Sequence, residues 1–470
     1  MISSIRLQKS PAYRMDTQRR PSTHWPHGKD CVDIRFGSDA DVSLAALPIR
    51  NLLKLDDEPF LKAVAERYPE VKWLAGKSEA SPVGNQTLRP DAMTYSVLSD
   101  ENPDPTAIEA ERTFLSLLLF KDILAHNNNK FPNLSKDNFN TLCDLTHSIV
   151  QTDQDIEFVL YSVACNDLGK TQRLIDECIQ LGTDKLYGEQ LDDHDQRLMA
   201  LVREKPSLFE GLHKLSSQPE VYISYATGLR ANFNLPQFVQ GESLPANLLK
   251  IQTSREKDRN LRLLTELFDF AGATANINGH QSLMMNDNNF FAFNAAISEL
   301  MKQPLNQAYK RYIAIRAEKA GILPSADPTL FTPETFAQGR LVAMSRTFTP
   351  DGGNAITRVW NRLSDQDRGR LTRELNETGT GQQAGLLLYY APAVILNAVK
   401  ATGDFETGLT YALQGFARVC QNFRQTLSMS GLMQGLALEP GKGGVITINL
   451  AHMARIASSD PESIVTRKRK

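Results

Sequence analysis

Amphipathic segments follow one another through most of this chain, joined by short polar stretches, and this pattern restricts the possible folds more than any other feature. From Pro105 to Ile251 apolar residues recur three and four positions apart, and no segment sustains the alternation of a strand. Similar segments continue from about 286 to 436. Only 444–450, GVITINL, alternates as a strand does. The sequence therefore predicts an all-α protein.

Turn-forming residues between these segments delimit the predicted helices. One helix is predicted over 58–68, and a longer one over 105–126 has acids in its first turns at Glu109 and Glu111. The other predicted helices are 136–150, 153–165, 168–181, 191–203, 219–232, 256–275, 304–320, 333–344, 354–376, 382–400 and 404–426.

The most apolar stretch runs from Ala384 to Val399, AGLLLYYAPAVILNAV. It is interrupted by Pro392 and Asn397, and it falls short of the ~18–20 apolar residues of a membrane span. We expect a buried core helix with a kink here and no membrane-spanning segment.

The chain's 470 residues exceed the roughly 250–300 over which a single core grows, so more than one structural region is expected. Residues 1–50 are irregular and polar, and 76–105 are rich in Ser, Pro, Asn and Asp. Residues 1–105 are therefore interpreted as an irregular, partly disordered N-terminal segment. Residues 106–285 form the predicted helical domain, and 286–470 form a C-terminal helical region.

Charge and cysteine content narrow the classes of partner and compartment. Lys and Arg total 52 against 54 Asp and Glu, so the net charge of −2 gives no general reason to expect nucleic-acid binding. The five cysteines are scattered and lack a CxxC spacing, which argues against a disulfide framework and against a zinc ribbon. We expect an intracellular, cytoplasmic protein.

A carboxylate on an apolar helix face is the clearest chemical feature. Asp167 follows Ala164, Val163, Val159 and Ile156 at three, four, eight and eleven residues, which is the spacing of one helix stripe. An unpaired buried carboxylate costs several kcal/mol. Asp167 is therefore expected to have a cation, a metal ion or a set of hydrogen-bond donors beside it.

Other ionisable residues also fall on apolar stripes, namely His147, the His194-Asp195 pair and Asp269. Each has a simpler interpretation as a hydrogen-bonded core residue or half of an ion pair. Converging from neighbouring helices, however, imidazole and carboxylate groups would make a mixed nitrogen and oxygen site suited to Zn, Fe, Mn or Mg.

The ordered set formed by His147, Asn166-Asp167-Leu168-Gly169-Lys170, His194-Asp195 and Asp269 resembles the H…HD…D signature of the HD-domain metal-dependent phosphohydrolases over about residues 126–285. The resemblance implies an HD-like helical bundle, with His147, Asn166, Asp167 and Asp269 at metal-ligand positions. It also implies catalytic positions for Lys170, as a contact to a substrate phosphate, for His194, as a second-metal ligand or a substrate contact, and for Asp195. Asn166 stands where the motif has histidine, and His126 is a rival first ligand.

Two classes of function follow from these residues. The first is a phosphohydrolase that uses a divalent Mg, Mn, Fe or Zn ion to act on a small phosphoester such as a nucleotide, with metal-bound water as the nucleophile. The alternative is a non-catalytic helical binding or scaffold protein with a degenerate HD-like frame, in which Asp167 is a structural acid paired with Lys170 or an arginine. An HD-type di-iron oxygenase is a minor third possibility.

Overall fold

Helices make up most of the residues that the computed structural model describes, which confirms the all-α class. The described residues are 44–76, 92–98, 108–182, 185–186, 189–190, 194–215, 233–249, 251–252, 254–273, 275, 281–381, 383–429 and 444–466. The predicted helix over 219–232 lies outside them.

The first half of the described chain contains twelve α-helices and a small antiparallel pair of strands, β1 (Lys185–Leu186) and β2 (Glu189–Gln190). The helices are α1 (Ile49–Leu52), α2 (Asp57–Arg67), α3 (Ala92–Val97), α4 (Ile108–Leu124), α5 (Lys136–Ile149), α6 (Asp153–Cys165), α7 (Gln172–Gln180), α8 (His194–Glu204), α9 (Glu210–Leu215), α10 (Leu235–Val239), α11 (Pro245–Leu249) and α12 (Glu256–Gly272).

The second half of the described chain adds nine helices and a parallel pair of strands, β3 (Gly385–Tyr389) and β4 (Val445–Asn449). The helices are α13 (Asp287–Met301), α14 (Ala308–Lys319), α15 (Pro333–Met344), α16 (Pro350–Arg362), α17 (Asp365–Asn376), α18 (Ala391–Thr402), α19 (Phe405–Met429), α20 (Ala451–Ala457) and α21 (Ser463–Thr466). No described helix is long and apolar enough to cross a membrane.

Side-chain caps explain why some predicted boundaries are confirmed to the residue. Thr152 caps α6 in a reciprocal arrangement with Asp155, and the helix spans the predicted 153–165. Thr332 caps α15, which begins at Pro333 and covers the predicted 333–344. Such signals lie within four residues of the helix start, so they are readable without any tertiary information.

Two segments that the sequence predicts as continuous helices are interrupted in the structure. The segment predicted as one helix over 354–376 is two helices, α16 and α17, because the side chain of Ser364 accepts a hydrogen bond from the backbone N–H of Asp367 and starts a new helix. Within the predicted 168–181, a 3-10 turn over Leu168–Lys170 precedes α7, whose N-cap is Thr171.

The kinked helix predicted over 382–400 is also wrong, since its first part is a strand. Residues Gly385–Tyr389 form β3, whose first four residues are buried, and the helix α18 begins only after Tyr390. The strand predicted over 444–450 is confirmed as β4, and it pairs in parallel with β3. Because this partner lies far along the chain, the local sequence does not distinguish a buried strand from a buried helix here.

Two packed regions position the candidate sites. In the first, α4 lies against both α6 and α12. In the second, α15 to α20 surround an apolar core that includes the fully buried Trp360 and also receives Leu386 and Leu388 from β3. The buried face of β3 is thereby part of a helical core.

Candidate functional site

A cluster of ionisable side chains surrounds the carboxylate of Asp167, and it includes a cation, which is one of the partners expected for an inward carboxylate. The Nζ atom of Lys170 lies 2.8 Å from Oδ1 of Asp167 and 3.1 Å from Oε2 of Glu109. Arg112 Nη1 donates to both oxygens of Glu109 at 3.1 Å. The side chains of Glu109 and Asp167 are each only 2% exposed. We call Glu109, Arg112, Asp167, Lys170 and the neighbouring Asp269 the charge centre.

The topology of α4 and α6 creates this cluster. Glu109 is in the first turn of α4, whereas Asp167 and Lys170 lie in the 3-10 turn region just after α6. At the other end of α4 the ring of His126 stacks on that of His147, with centroids 4.9 Å apart. His147 is on α5, and α6 begins at Asp153, six residues further along the chain. The helices α4 and α6 therefore run antiparallel, and the charge centre lies where α4 begins and α6 ends.

The charges of this centre balance when Glu109 holds a proton. Burial, and then the neighbouring Asp167 carboxylate, raises the pKa of Glu109 to about 7, and the two carboxyl groups also hydrogen-bond. Burial by itself would lower the pKa of Lys170, but Asp167 and Glu109 outweigh it and the pKa is raised. With Glu109 neutral, the carboxylates of Asp167 and Asp269 are matched by Arg112 and Lys170.

Asp269 reaches the centre from α12. Its side chain is half-buried. Burial lowers the pKa of Arg112 and Lys170, but Glu109 and Asp167, with a smaller contribution from Asp269, raise the pKa of both. One turn further on, Gly272 packs against α4 so closely that a Cβ atom there would lie 2.6 Å from the carbonyl oxygen of Arg112. This contact holds Asp269 at the level of Arg112.

Asn166, predicted as a metal ligand, takes part in a different polar network. Its Oδ1 accepts a hydrogen bond from Nη2 of Arg262 at 3.2 Å, and the same nitrogen lies 3.0 Å from Oε1 of Glu266. The side chain of Asn166 is buried between α6 and α12. Its amide oxygen is therefore already occupied as the acceptor of a hydrogen bond from Arg262.

His147 is not brought to the charge centre. Because it stacks on His126 at the far end of the 17-residue helix α4, it is separated from Glu109 and Asp167 by roughly 25 Å, at 1.5 Å per residue. Burial, and then the adjacent His126, lowers the pKa of His147. The apolar stripe of α5 correctly indicated which way His147 faces, but not which end of α4 it meets.

His194 and Asp195 lie beside the centre through their backbone. A Cβ atom at Gly169 would be 1.9 Å from the carbonyl oxygen of His194, so the start of α8 packs directly on the Leu-Gly-Lys turn. Nε of Arg197 donates to the carbonyl oxygen of Gly169 at 3.1 Å. The imidazole Nε2 of His194 lies 3.2 Å from Oδ1 of Asp195.

The charge centre as it stands does not fit a bound metal ion. Within the described ranges, no group of three or more His, Cys, Asp or Glu side chains is arranged to hold a metal ion. The position between the two buried carboxyl groups is taken by the ammonium of Lys170. Metal ligands must instead place their donor atoms about 2.0–2.2 Å from one common point.

Glu109 and Arg112 are the members of the centre that the sequence did not identify as site residues. An acid in the first turn of a helix is favoured by the helix dipole wherever it occurs, so Glu109 carried no distinguishing signal. Its three-residue spacing to Arg112 is a common surface pairing. Their burial depends on α6 and α12, which are remote in sequence.

These features define the class of the chain as a helical protein with a buried charge centre. The chain belongs to DUF6829, a family of unknown function, whose match spans residues 94–460 and so covers the charge centre and the C-terminal helices as far as α20. No curated protein and no solved structure matches the chain.

Proposed function

We propose that this chain is a non-catalytic helical binding protein, in which a degenerate HD-like frame is stabilised by internal ion pairs in place of a metal ion. The observation that carries the proposal is the position of Lys170 Nζ, 2.8 Å from Asp167 and 3.1 Å from Glu109. The basic groups of the centre neutralise the acids that a metal would otherwise bind.

Displacement of Lys170 by a metal ion would carry a large free-energy penalty. The lysine side chain is 17% exposed, and its partners are 2% exposed, so all three groups have lost most of their hydration. Separating a buried ion pair leaves a charge without compensation, which costs about 3–5 kcal/mol. A structural role for Asp167 accounts for its burial without any ligand.

Stability measurements on Lys170 variants test this role. Lys170→Met is expected to lower the free energy of unfolding by about 3–5 kcal/mol, because it leaves Asp167 buried without its cation. The double variant Asp167→Asn with Lys170→Met removes both charges, so it is expected to regain much of that loss. Urea unfolding monitored by circular dichroism measures both. If Lys170→Met is as stable as the wild type, the structural role is refuted.

Metal analysis of the purified full-length chain provides a second, independent test. After dialysis against Mn²⁺ or Zn²⁺ and removal of free ions, we expect substoichiometric metal that is the same in the wild type and in Asp167→Asn. The control is Asp365→Asn, which changes an acid whose side chain is 93% exposed. One ion per chain, lost in Asp167→Asn and kept in the control, would argue against the proposal.

A metal-dependent phosphohydrolase is the second candidate, and one observation favours it. A carboxyl group with a pKa of about 7, as at Glu109, is suited to proton transfer near neutral pH. On this alternative, metal-dependent hydrolysis of a phosphoester would be lost in Glu109→Gln while the fold stays intact. The non-catalytic proposal instead predicts that neither the wild type nor Glu109→Gln hydrolyses the phosphoester.

A further inference from the structure

A cleft that is lined by residues from 234–242 and from 346–397 lies outside the charge centre. Its volume is about 410 Å³, which falls within the ~300–1,000 Å³ of small-molecule pockets. It opens at the carboxyl end of β3, where the chain turns into α18. The lining residues that matter here are Gln240, Glu242, Arg346, Tyr389, Tyr390 and Asn397.

The segment beneath the cleft is held rigidly by buried side chains. Tyr309 Oη donates to the carbonyl oxygen of Gly241 at 2.9 Å, and Tyr312 Oη donates to that of Val239 at 2.6 Å. Arg340 Nη2 also donates to Gly241, at 2.9 Å. The site therefore needs little ordering when a ligand binds, and this preorganisation favours affinity.

Two lining residues have a backbone conformation that side chains with a Cβ rarely adopt. Arg346 has φ 52° and Tyr390 has φ 71°, and in the part of the chain that the structure describes only His126 shares this feature among non-glycine residues. Glycine would fit both positions without strain. Local strain of this kind concentrates at functional sites, where a particular side chain is needed.

The electrostatics of the cleft favour an anionic group on the ligand. Glu242 is only 4% exposed, and burial raises its pKa to about 8, although the backbone N–H groups of Tyr390 and Ala391 donate to it. The charges of Arg346 and Arg340 act in the opposite direction and lower this pKa. Glu242 is buried, whereas Arg346 is exposed at the cleft and donates one hydrogen bond to Gln240 Oε1 at 3.1 Å, so the guanidinium of Arg346 is the charge that a ligand meets.

The remaining lining suits a flat, polar ring. The rings of Tyr389 and Tyr390 lie 4.1 Å apart, and Tyr390 is 39% exposed, so an aromatic surface is open at the cleft. The carboxamides of Gln240 and Asn397 border the same space. The oxygen of Gln240 already accepts from Arg346, which leaves its amide N–H groups as donors, whereas Asn397 donates through Nδ2 to the carbonyl oxygen of Ala454 at 2.9 Å and keeps its own oxygen as an acceptor. Together they present a donor and an acceptor, which matches the edge of a heterocycle.

We propose that this cleft binds a small molecule with a heteroaromatic ring and an anionic substituent, of the nucleoside monophosphate class. The ring stacks on Tyr390, the carboxamides hydrogen-bond its edge, and Arg346 pairs with the phosphate. The inference stands whether or not the charge centre is catalytic, since the two sites share no residue.

Isothermal titration calorimetry on the full-length protein tests the proposal. The probes are the four common ribonucleoside monophosphates, their nucleosides, inorganic phosphate and a neutral disaccharide. We expect a nucleoside monophosphate to bind more tightly than its nucleoside and than phosphate. Arg346→Gln should lower the affinity for the monophosphate about tenfold or more, because a charge-assisted hydrogen bond is lost, and should leave the affinity for the nucleoside unchanged. Arg455→Gln, an exposed arginine outside the cleft, is the control.

Tyr390→Gly separates loss of the site from loss of the fold. Since glycine accepts φ 71°, the variant should melt at the same temperature as the wild type or higher, while its affinity for both monophosphate and nucleoside falls about tenfold. The proposal is overturned if no monophosphate binds, if phosphate alone or the disaccharide binds as tightly, or if both variants bind as the wild type does.

Discussion

Glu109 determines the ionic state of the charge centre, because its proton decides whether acids and bases balance there. Its pKa of about 7 lies above the ordinary value of 4.5, with burial as the main cause. Between these two pH values the folded chain keeps a proton that the unfolded chain has released. The contribution of Glu109 to stability is therefore complete below pH 4.5, falls as the pH rises, and is lost above about 7.

A Glu109→Gln variant is expected to lose less stability than the wild type as the pH rises. Across pH 5 to 8 the wild type should lose about 2–3 kcal/mol of unfolding free energy relative to the variant. Urea unfolding at each pH measures the difference, and contributions of other groups such as Glu242 cancel. Glu334→Gln, at a side chain that is 56% exposed, is the control. Parallel pH profiles for wild type and Glu109→Gln would contradict the assignment.

At the scale of elements, the contact between α4 and α12 depends on a glycine. A Cβ atom at Gly272 would lie 2.0 Å from Oγ of Ser116, and that hydroxyl already donates to the carbonyl oxygen of Arg112 at 2.8 Å. Helix backbones cannot approach so closely with a larger residue between them. The same contact keeps Asp269 beside the charge centre.

Two helical glycines make a matched pair for testing this contact. Gly272→Ala is expected to lower the free energy of unfolding by roughly 1–3 kcal/mol, because α4 and α12 must separate. Gly369→Ala lies in α17, where an added Cβ meets nothing within 4 Å, so it should raise stability by up to about 1 kcal/mol. Chemical denaturation of both variants gives the comparison. Equal effects would mean that helix propensity alone governs both sites.

At the scale of the whole molecule, the parallel pair β3 and β4 links distant parts of the chain. Gly385 pairs with Val445 and Tyr389 with Asn449, and the helices α18 and α20 follow the two strands directly. The backbone groups of β3 are buried, so they need this partner. The C-terminal core and the proposed ligand cleft both rest on this pairing.

A chain that ends at residue 443 is expected to lose cooperative folding, since β3 would be left without its partner and the core without α20. A chain that ends at Thr466 keeps every described element and serves as the control. Thermal unfolding followed by circular dichroism distinguishes them. A shorter chain that melts cooperatively within a few degrees of the control would show that β4 is dispensable.

Several members of the charge centre could be predicted from the sequence, and the reason is local. Asp167 was found because helix periodicity shows which face of α6 is buried. Asp269 was found in the same way, on the apolar stripe of its own predicted helix, whereas Lys170 was identified through the motif that the sequence resembles. Periodicity does not show which end of a neighbouring helix a side chain meets, so His147 was grouped with residues that lie at the opposite end of α4.

The sequence by itself determined the helical class, most helix positions and the need to compensate an inward carboxylate, because each depends on residues within a few turns of one another. Only the tertiary structure decided that Lys170 and Glu109 lie beside Asp167, that Asn166 accepts a hydrogen bond from Arg262, and that 385–389 is a strand. These outcomes depend on residues that are distant in sequence and are brought into contact by packing. Local spacing contains no information about which distant residue a given side chain contacts.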